Sequence, residues 1–441
     1  MGEESKKIYN RAIQVLTGGV SRNTIFRDPH PFYVSTANGS YIKDVDGCKR
    51  LDFANNMASL IHGHSHPKIV EAVSKQLQKG SAFTMGSEIE VNYAELLNNR
   101  TKGFERIRFM NSGTEAVMTM IKAARVYTGK HKIAKAEGAY HGTYDYAEIS
   151  QTATPSNWGS IENPNPVPVV EGTPEGVLND MVIFPYNDIE RTLNLLNKNA
   201  DDIAIVLIDL VPHRVGLIPA SKEYVEALYK WTRKNNAVLA FDEVVTYRIN
   251  YSGAQESYNV EPDLTALGKI IGGGFPIGAL AGKSEIMQVL DPRETFLRHP
   301  HSGTFSANPI SITAGYTAMK MFDEQGVRDL NNLTKIAIKQ VEEAIKLAGI
   351  SACVTGAGSM FRVHFNKIAP TTYREAYQGK EIKLIINELL DFLFLEENII
   401  MINTCACMFA TTITQQNVDR LSEALLNGFK IIKPKLEQLK Q

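Results

Sequence analysis

Residues 265–278 read TALGKIIGGGFPIG, with Lys269 at the centre. An apolar run, 264–267, stops at one lysine, and Gly272, Gly273, Gly274 and a Phe-Pro turn follow. Taken alone, the stretch fits two readings. Lysine in a last helical turn followed by glycine is an ordinary helix C-terminus. A lysine held at the end of an apolar run is instead desolvated, and burial disfavours the ammonium form and leaves a nucleophilic amine at neutral pH. The glycines then let the backbone approach a flat ligand closely.

The surroundings bear on the choice. Lys269 lies 27 residues after Asp242, the first acid in AVLAFDEVV (237–245). One strand, a loop and a second strand fit between them, so both can face one pocket from neighbouring strands. A carboxylate closing a buried apolar strand is costly unless a cation stands opposite; a protonated ring nitrogen, a buried arginine or Mg²⁺ would each serve. Segments 106–110, 132–135, 181–184, 203–208 and 237–241 read as strands, with helices over 114–128, 188–198 and 222–235. This alternation predicts an α/β fold with a mostly parallel sheet covered on both faces. Ligands of such sheets sit beyond the carboxyl ends of the strands.

Two further strand ends carry chemistry. NSGTE (111–115) places Ser112, Gly113 and Thr114 at a helix N-terminus, which is either an anion site or an N-cap. EGAYHG (137–142) places Tyr140 and His141 between glycines, where the tyrosine either stacks on a planar ligand or joins the core. A phosphate site, a stacking aromatic, a carboxylate and a desolvated lysine together describe a site for pyridoxal 5′-phosphate. The lysine forms the Schiff base, and the acid keeps the pyridine nitrogen protonated.

The flanks frame this region. Residues 32–53 read as an antiparallel meander turning at Asn38-Gly39 and Asp46-Gly47. Helices are expected over 6–17, 67–78 and 90–100. Segment 153–179 carries five prolines and little periodicity, as a lid or a disordered loop does. After about 320 a smaller unit follows: helix 324–348, strands 352–355 and 359–365, helix 382–397, strand 400–402 and helix 417–433.

A length of 441 residues calls for about two domains, and 44% hydrophobic with 22% charged residues is ordinary for buried cores. A formal net charge of -1 gives no support for nucleic acid or an anionic membrane surface as partner. No apolar run reaches the roughly 20 residues that span a bilayer, and the charged N-terminus lacks a signal peptide's apolar core. Four scattered cysteines do not make a disulfide framework. Cys405 and Cys407 read as alternate strand residues with free thiols, as in a reducing cytoplasm. His62, His64 and His66 lack a neighbouring Cys or acidic cluster, so no metal site is expected.

The motifs NSGTEA (111–116), TGKHKIAKAEGAYHG (128–142), FDEVVTYR (241–248), PDLTALGKIIGGGFPIGALAG (262–282) and HSGTFSANPISITAG (301–315), with DVDGCKRLDF (44–53) and GHSHP (63–67), carry a family resemblance. The chain resembles the class III pyridoxal-phosphate aminotransferases, and among them glutamate-1-semialdehyde aminomutase and the β-amino-acid transaminases. The resemblance covers nearly the whole chain. It implies fold type I: a large domain with a mostly parallel seven-stranded sheet plus a smaller α+β domain. Residues 1–60 would join the small domain, 61–319 would form the large one, and 320–441 would complete the small one. By position, Lys269 resembles the Schiff-base lysine and proton shuttle, and Asp242 the partner of the pyridine nitrogen. Val244 and Tyr140 would take the two ring faces, with His141 beside them. Ser112, Gly113 and Thr114 would hold the phosphate, reached also by Thr304 of the second subunit. That implies a homodimer with shared sites.

The substrate is approached in the same way. Arg22 matches the position of the carboxylate-binding arginine of the aminomutase and β-amino-acid transaminases, and Arg248 is a second candidate. The stretch MINTCACMFATT (401–412) has no arginine where many α-amino-acid transaminases use one. The expected activity is amino transfer between an amino acid, with its amine β to the carboxylate, and a keto acid. The alternatives are an intramolecular aminomutase, an epimerase on the same scaffold, and a binding relative that has lost turnover. Many class III enzymes have a Glu-Pro pair before the AVLAFDE strand. Here the run is IDLVPHR (208–214), so the acid is Asp209, the proline is displaced, and His213 or Arg214 either faces the pocket or lies in solvent.

Overall fold

The computed structural model describes residues 2–439. The meander forms as expected: β1 (Val34–Asn38), β2 (Tyr41–Asp44) and β3 (Lys49–Asp52) pair antiparallel, with Gly39 and Gly47 at positive φ in the turns. The central sheet follows as β4 (Arg106–Met110), β5 (Lys132–Ala136), β6 (Met181–Phe184), β7 (Ile203–Ile208), β8 (Val238–Asp242), β9 (Leu264–Gly268) and β10 (Gly278–Gly282). Its seven strands run in the order β4-β10-β9-β8-β7-β5-β6. Only β10 is antiparallel to its neighbours. Strands β7, β8 and β9 are buried throughout, as continuous apolar runs require in a sheet covered on both faces.

Three more strands, β11 (Cys353–Ala357), β12 (Met360–His364) and, after the short β13 (Ile399–Ile400), β14 (Ala406–Met408), form an antiparallel sheet in the order β11-β12-β14. Strand β13 pairs in parallel with β3, Ile399 opposite Leu51, so the N-terminal meander is hydrogen-bonded to the C-terminal part of the chain. Helices Glu324–Ala348, Lys380–Leu395 and Gln415–Gln438 pack beside these sheets.

Several local expectations change. The N-terminal helix spans Glu3–Ala12 and not 6–17, because Asp46 of the meander accepts the N–H groups of Glu4 and Ser5 at 2.8 and 3.2 Å. Those are the bonds a local N-cap residue would supply. The last helix continues past Pro434 to Gln438, since Leu436 is buried and a proline near a helix end forfeits few bonds. A helix at Pro309–Met321, not expected from periodicity, starts from Asn308, whose side chain accepts from Ser311 N–H. Cys405 lies outside β14 at φ 59°; it and Cys407 are both buried and free.

Segment 153–179 is neither periodic nor loose. It holds a two-residue ribbon, Gly159–Ser160 against Asn163–Pro164, and a helix, Glu175–Asn179. Arg374 clasps it. Its Nε and Nη2 reach the buried Glu137 at 2.8 and 2.9 Å, its guanidinium donates to the carbonyls of Trp158 and Gly159, and its Cζ lies 4.7 Å from the Trp158 ring centre.

Candidate active site

Strands β7, β8 and β9 each end where the apolar run stops, and each stop is an ionisable residue. Asp209 follows β7, Asp242 closes β8 and Lys269 follows β9. All three line one cleft of about 360 Å³. The register explains the convergence: Phe241 lies opposite Ile208, so Asp242 and Asp209 are level on adjacent strands, and Asp242 lies opposite Ala266 of the lysine's strand. Side chains at one level of neighbouring strands share a face.

Asp242 is oriented from two sides. Its Oδ1 accepts the Val244 N–H at 3.0 Å, and its Oδ2 lies 2.8 Å from His141 Nδ1. His141 is buried; its other ring nitrogen has no partner among the described residues, and burial holds its pKa below the usual value against the pull of Asp242. Burial also lowers the Lys269 amine, opposed by Asp242 and Asp209. Lys269 takes φ 49°, a left-handed conformation costing roughly 1–2 kcal/mol for a non-glycine residue. Such strain is characteristic of functional sites. Asp209 is pushed well above the ordinary carboxylate range, first by burial and then by the charge of Asp242; its Oδ1 accepts the Val211 N–H at 2.9 Å.

The phosphate turn stands at the other end of the cleft. Ser112 caps the helix Gly113–Thr128, accepting from Glu115 N–H at 3.1 Å, and Ser112, Gly113 and Thr114 line the cleft. The positive end of a sixteen-residue helix therefore faces it. Val244 lines the cleft too, and a Cβ on Gly113 would stand 2.8 Å from its side chain. The backbone is close enough there that only glycine fits. Tyr140, 41% exposed, lines the cleft, and Arg214 stands over its ring, 5.1 Å from the centre. A flat, anionic, nitrogen-bearing ring fits this donor set: helix N–H groups for a phosphate, Asp242 for a ring cation, Val244 and Tyr140 for the faces, and a desolvated amine.

Buried Lys135 supports the loop that carries Tyr140 and His141. Its ammonium donates to the carbonyls of Ala139, Ala147 and Ile149 at 2.9, 2.9 and 2.6 Å, while burial lowers its pKa to about 7. At the rim, Arg22 is exposed, and its Nη1 donates to Asn56 Oδ1 at 2.7 Å. Asn56 belongs to a run of four non-glycine residues in the left-handed region, Asn55, Asn56, Met57 and Ala58, at φ 45°, 47°, 57° and 71°. Asp52 pins the run from below: its Oδ1 accepts from the N–H groups of Ala54 and Asn55, and its Oδ2 lies 2.8 Å from His64 Nε2.

Eight of the residues singled out from sequence thus converge: Lys269, Asp242, Tyr140, Ser112, Gly113, Thr114, His141 and Val244. Two do not. Arg248 is fully buried and donates to Ser359 Oγ and to the carbonyls of Ala58 and Phe409, which leaves it no reach into the cleft. Thr304 is exposed on a turn outside the cleft of its own chain. His213 lies 3.2 Å from Thr404 Oγ1, and burial lowers its pKa to about 3. The run Gly272–Gly274 also changes meaning. Gly273 at φ 57° would put a Cβ 2.4 Å from the Ala314 carbonyl oxygen, so the close approach is to the helix Pro309–Met321; Gly274 alone of the three lines the cleft. Asp209 had a usable signal: like Asp242, it follows an unbroken apolar strand. A second hollow lies beside Arg233 and Asp263, which are paired with each other at 2.8 Å.

Comparison with known proteins bears on the family and the fold. The aminotransferase class-III family profile matches residues 25–426. A glutamate-1-semialdehyde 2,1-aminomutase of Methanobrevibacter smithii is 39% identical over 82% of this chain and 83% of its own length. The crystal structure of an omega-transaminase from Sphaerobacter thermophilus superposes with a TM-score of 0.95 at 40% identity, covering 97% of this chain and 98% of that one. A β-phenylalanine aminotransferase from Variovorax paradoxus superposes with a TM-score of 0.85 at 28% identity, over 96% and 93%.

Proposed function

The chain belongs to the class-III aminotransferase family of pyridoxal-phosphate enzymes, and from that premise we propose that it moves an amino group between a β-amino acid and a keto acid. The observation that carries the substrate reading is Arg22, an exposed guanidinium at the rim of the Lys269 cleft, together with the absence of arginine from 401–412. A planar fork of donors suits a carboxylate.

Bound pyridoxal phosphate supplies an electron sink that makes the substrate's C–H acidic. The chain does the rest. Ser112, Gly113 and Thr114 would anchor the phosphate, and Asp242, fixed by His141 and Val244 N–H, would keep the ring nitrogen protonated. Val244 and Tyr140 confine the ring. Lys269 Nζ, its pKa lowered by burial, would tether the cofactor and, when free, would take up and return the substrate's proton. Arg22 takes the carboxylate.

Adding candidate donors to the loaded protein and following its visible absorbance tests this: β-amino acids are expected to bleach the band. No conversion with any β-amino acid overturns the β assignment. The aminomutase reading is favoured by the names of the curated relatives; turnover of a single amino substrate with no keto acid added would establish it instead.

The same reading makes the protein a cytoplasmic homodimer in which Thr304 serves the partner's site.

A further inference from the structure

We propose that Asn56 is a specificity-determining residue. Its amide oxygen holds Arg22 at the mouth of the cleft, in the place an amino-acid carboxylate takes, and substrate enters by exchanging one oxygen for another on the same guanidinium. This rests on the reading of Arg22 as the carboxylate-binding residue.

Three observations carry it. First, Arg22 Nη1 donates to Asn56 Oδ1 at 2.7 Å, and Asn56 lines the cleft that holds Lys269. Second, the amide cannot turn round. Asn56 Nδ2 donates to Ser59 Oγ at 3.0 Å, and Ser59 Oγ donates to the Asn56 carbonyl at 2.9 Å, which leaves Oδ1 as the atom facing Arg22. Third, the backbone that presents Asn56 is strained. Four successive non-glycine residues are left-handed, a conformation such residues adopt singly and at functional positions. The strain is held by Asp52, and by Asn55 Nδ2 donating to the Met408 carbonyl at 2.6 Å. Asparagine is among the side chains that tolerate this region.

The chemistry suits a reversible hold. A neutral amide oxygen orders the guanidinium without cancelling its charge. A carboxylate makes the stronger, charge-assisted and bidentate bond, so an arriving amino acid displaces Asn56. An amine without a carboxylate gains nothing from Arg22 and leaves the hold in place. Arg22 would thus make the cleft prefer amino acids over simple amines, and Asn56, by competing for the same guanidinium, would set how large that preference is.

The test uses the loaded enzyme with 3-aminobutanoate as first donor and pyruvate as acceptor, or any amino-acid donor the absorbance screen identifies. Asn56→Asp gives Arg22 a competing carboxylate and is expected to raise KM for the donor about tenfold or more, with kcat within threefold. Asn56→Gly fits the left-handed turn, removes the competitor and is expected to lower KM. Both effects should shrink below twofold in an Arg22→Ala background. Equal effects with and without Arg22, or a raised KM for Asn56→Gly, overturn the proposal while Arg22 keeps its role. An Arg22→Ala variant with unchanged KM overturns the Arg22 reading itself, and this proposal with it.

Discussion

Asp209 and Asp242 stand level on adjacent parallel strands, and two carboxyl groups so placed resist ionising together. Asp242 has His141 and the Val244 N–H; Asp209 has only the Val211 N–H and is the one pushed up. A carboxyl whose folded pKa is raised holds its proton in the fold after the unfolded chain has lost it. Stability is therefore lost as pH rises from the ordinary carboxylate range, about 4, through the folded value. Asp209→Asn removes that loss. Thermal unfolding of the cofactor-free protein should show it more stable than wild type at pH 8, with the difference vanishing toward pH 4; a variant less stable at pH 8 would refute the assignment. Lys269→Ala should lower kcat by roughly 10⁴ or more, since the general-base proton transfer goes with the tether, and borohydride treatment before denaturation should leave the cofactor attached in wild type but not in the variant.

At the scale of elements, glycine sets how closely the strands and helices around the cleft approach. A Cβ at Gly278, on β10, would lie 1.9 Å from the Ser112 carbonyl oxygen. Backbone cannot yield as a side-chain tip does. Gly278→Ala should cost at least about 1–3 kcal/mol in denaturant unfolding and weaken cofactor retention by displacing the phosphate turn. The clasp on the 153–179 segment is a second element-scale device. Arg374→Ala leaves Glu137 buried without its partner and frees the ribbon, so limited proteolysis should cut within 153–179 faster than in wild type. An unchanged cleavage pattern would show the segment is held by Trp158 and the tyrosines around it.

At the scale of the molecule, the cleft of one chain contains no Thr304. A homodimer with shared sites predicts complementation: mixing Lys269→Ala with Thr304→Ala subunits, after dissociation and reassociation, should regenerate sites with both residues intact and recover about a quarter of wild-type activity by random pairing. Recovery no greater than the two parents' sum would place Thr304 outside the partner's site. Arg248 contributes to the architecture differently, by tying the segment after β8 to Ser359 and Phe409 of the C-terminal part.

The local pattern was enough for five of the central sheet's seven strands, the helices between them and the Lys269–Asp242–Ser112 constellation; the antiparallel Gly278–Gly282, rich in glycine and alanine, gave no strand signal of its own. Apolar runs of strand length report burial directly, and an ionisable residue where such a run stops needs a partner whatever lies around it. Helix Glu324–Ala348 was legible to the residue, because Asp323 and Gly349 cap it locally. What the sequence could not determine depends on groups distant along the chain. The start of the first helix is set by Asp46, and Arg248 is an interior tie because Ser359 and Phe409 meet it. The left-handed turn that aims Asn56 at Arg22 exists because Asp52, His64 and Met408 converge beneath it. Left-handed backbone in four successive non-glycine residues has no local sequence signal, since local energetics oppose it and only tertiary contacts hold it.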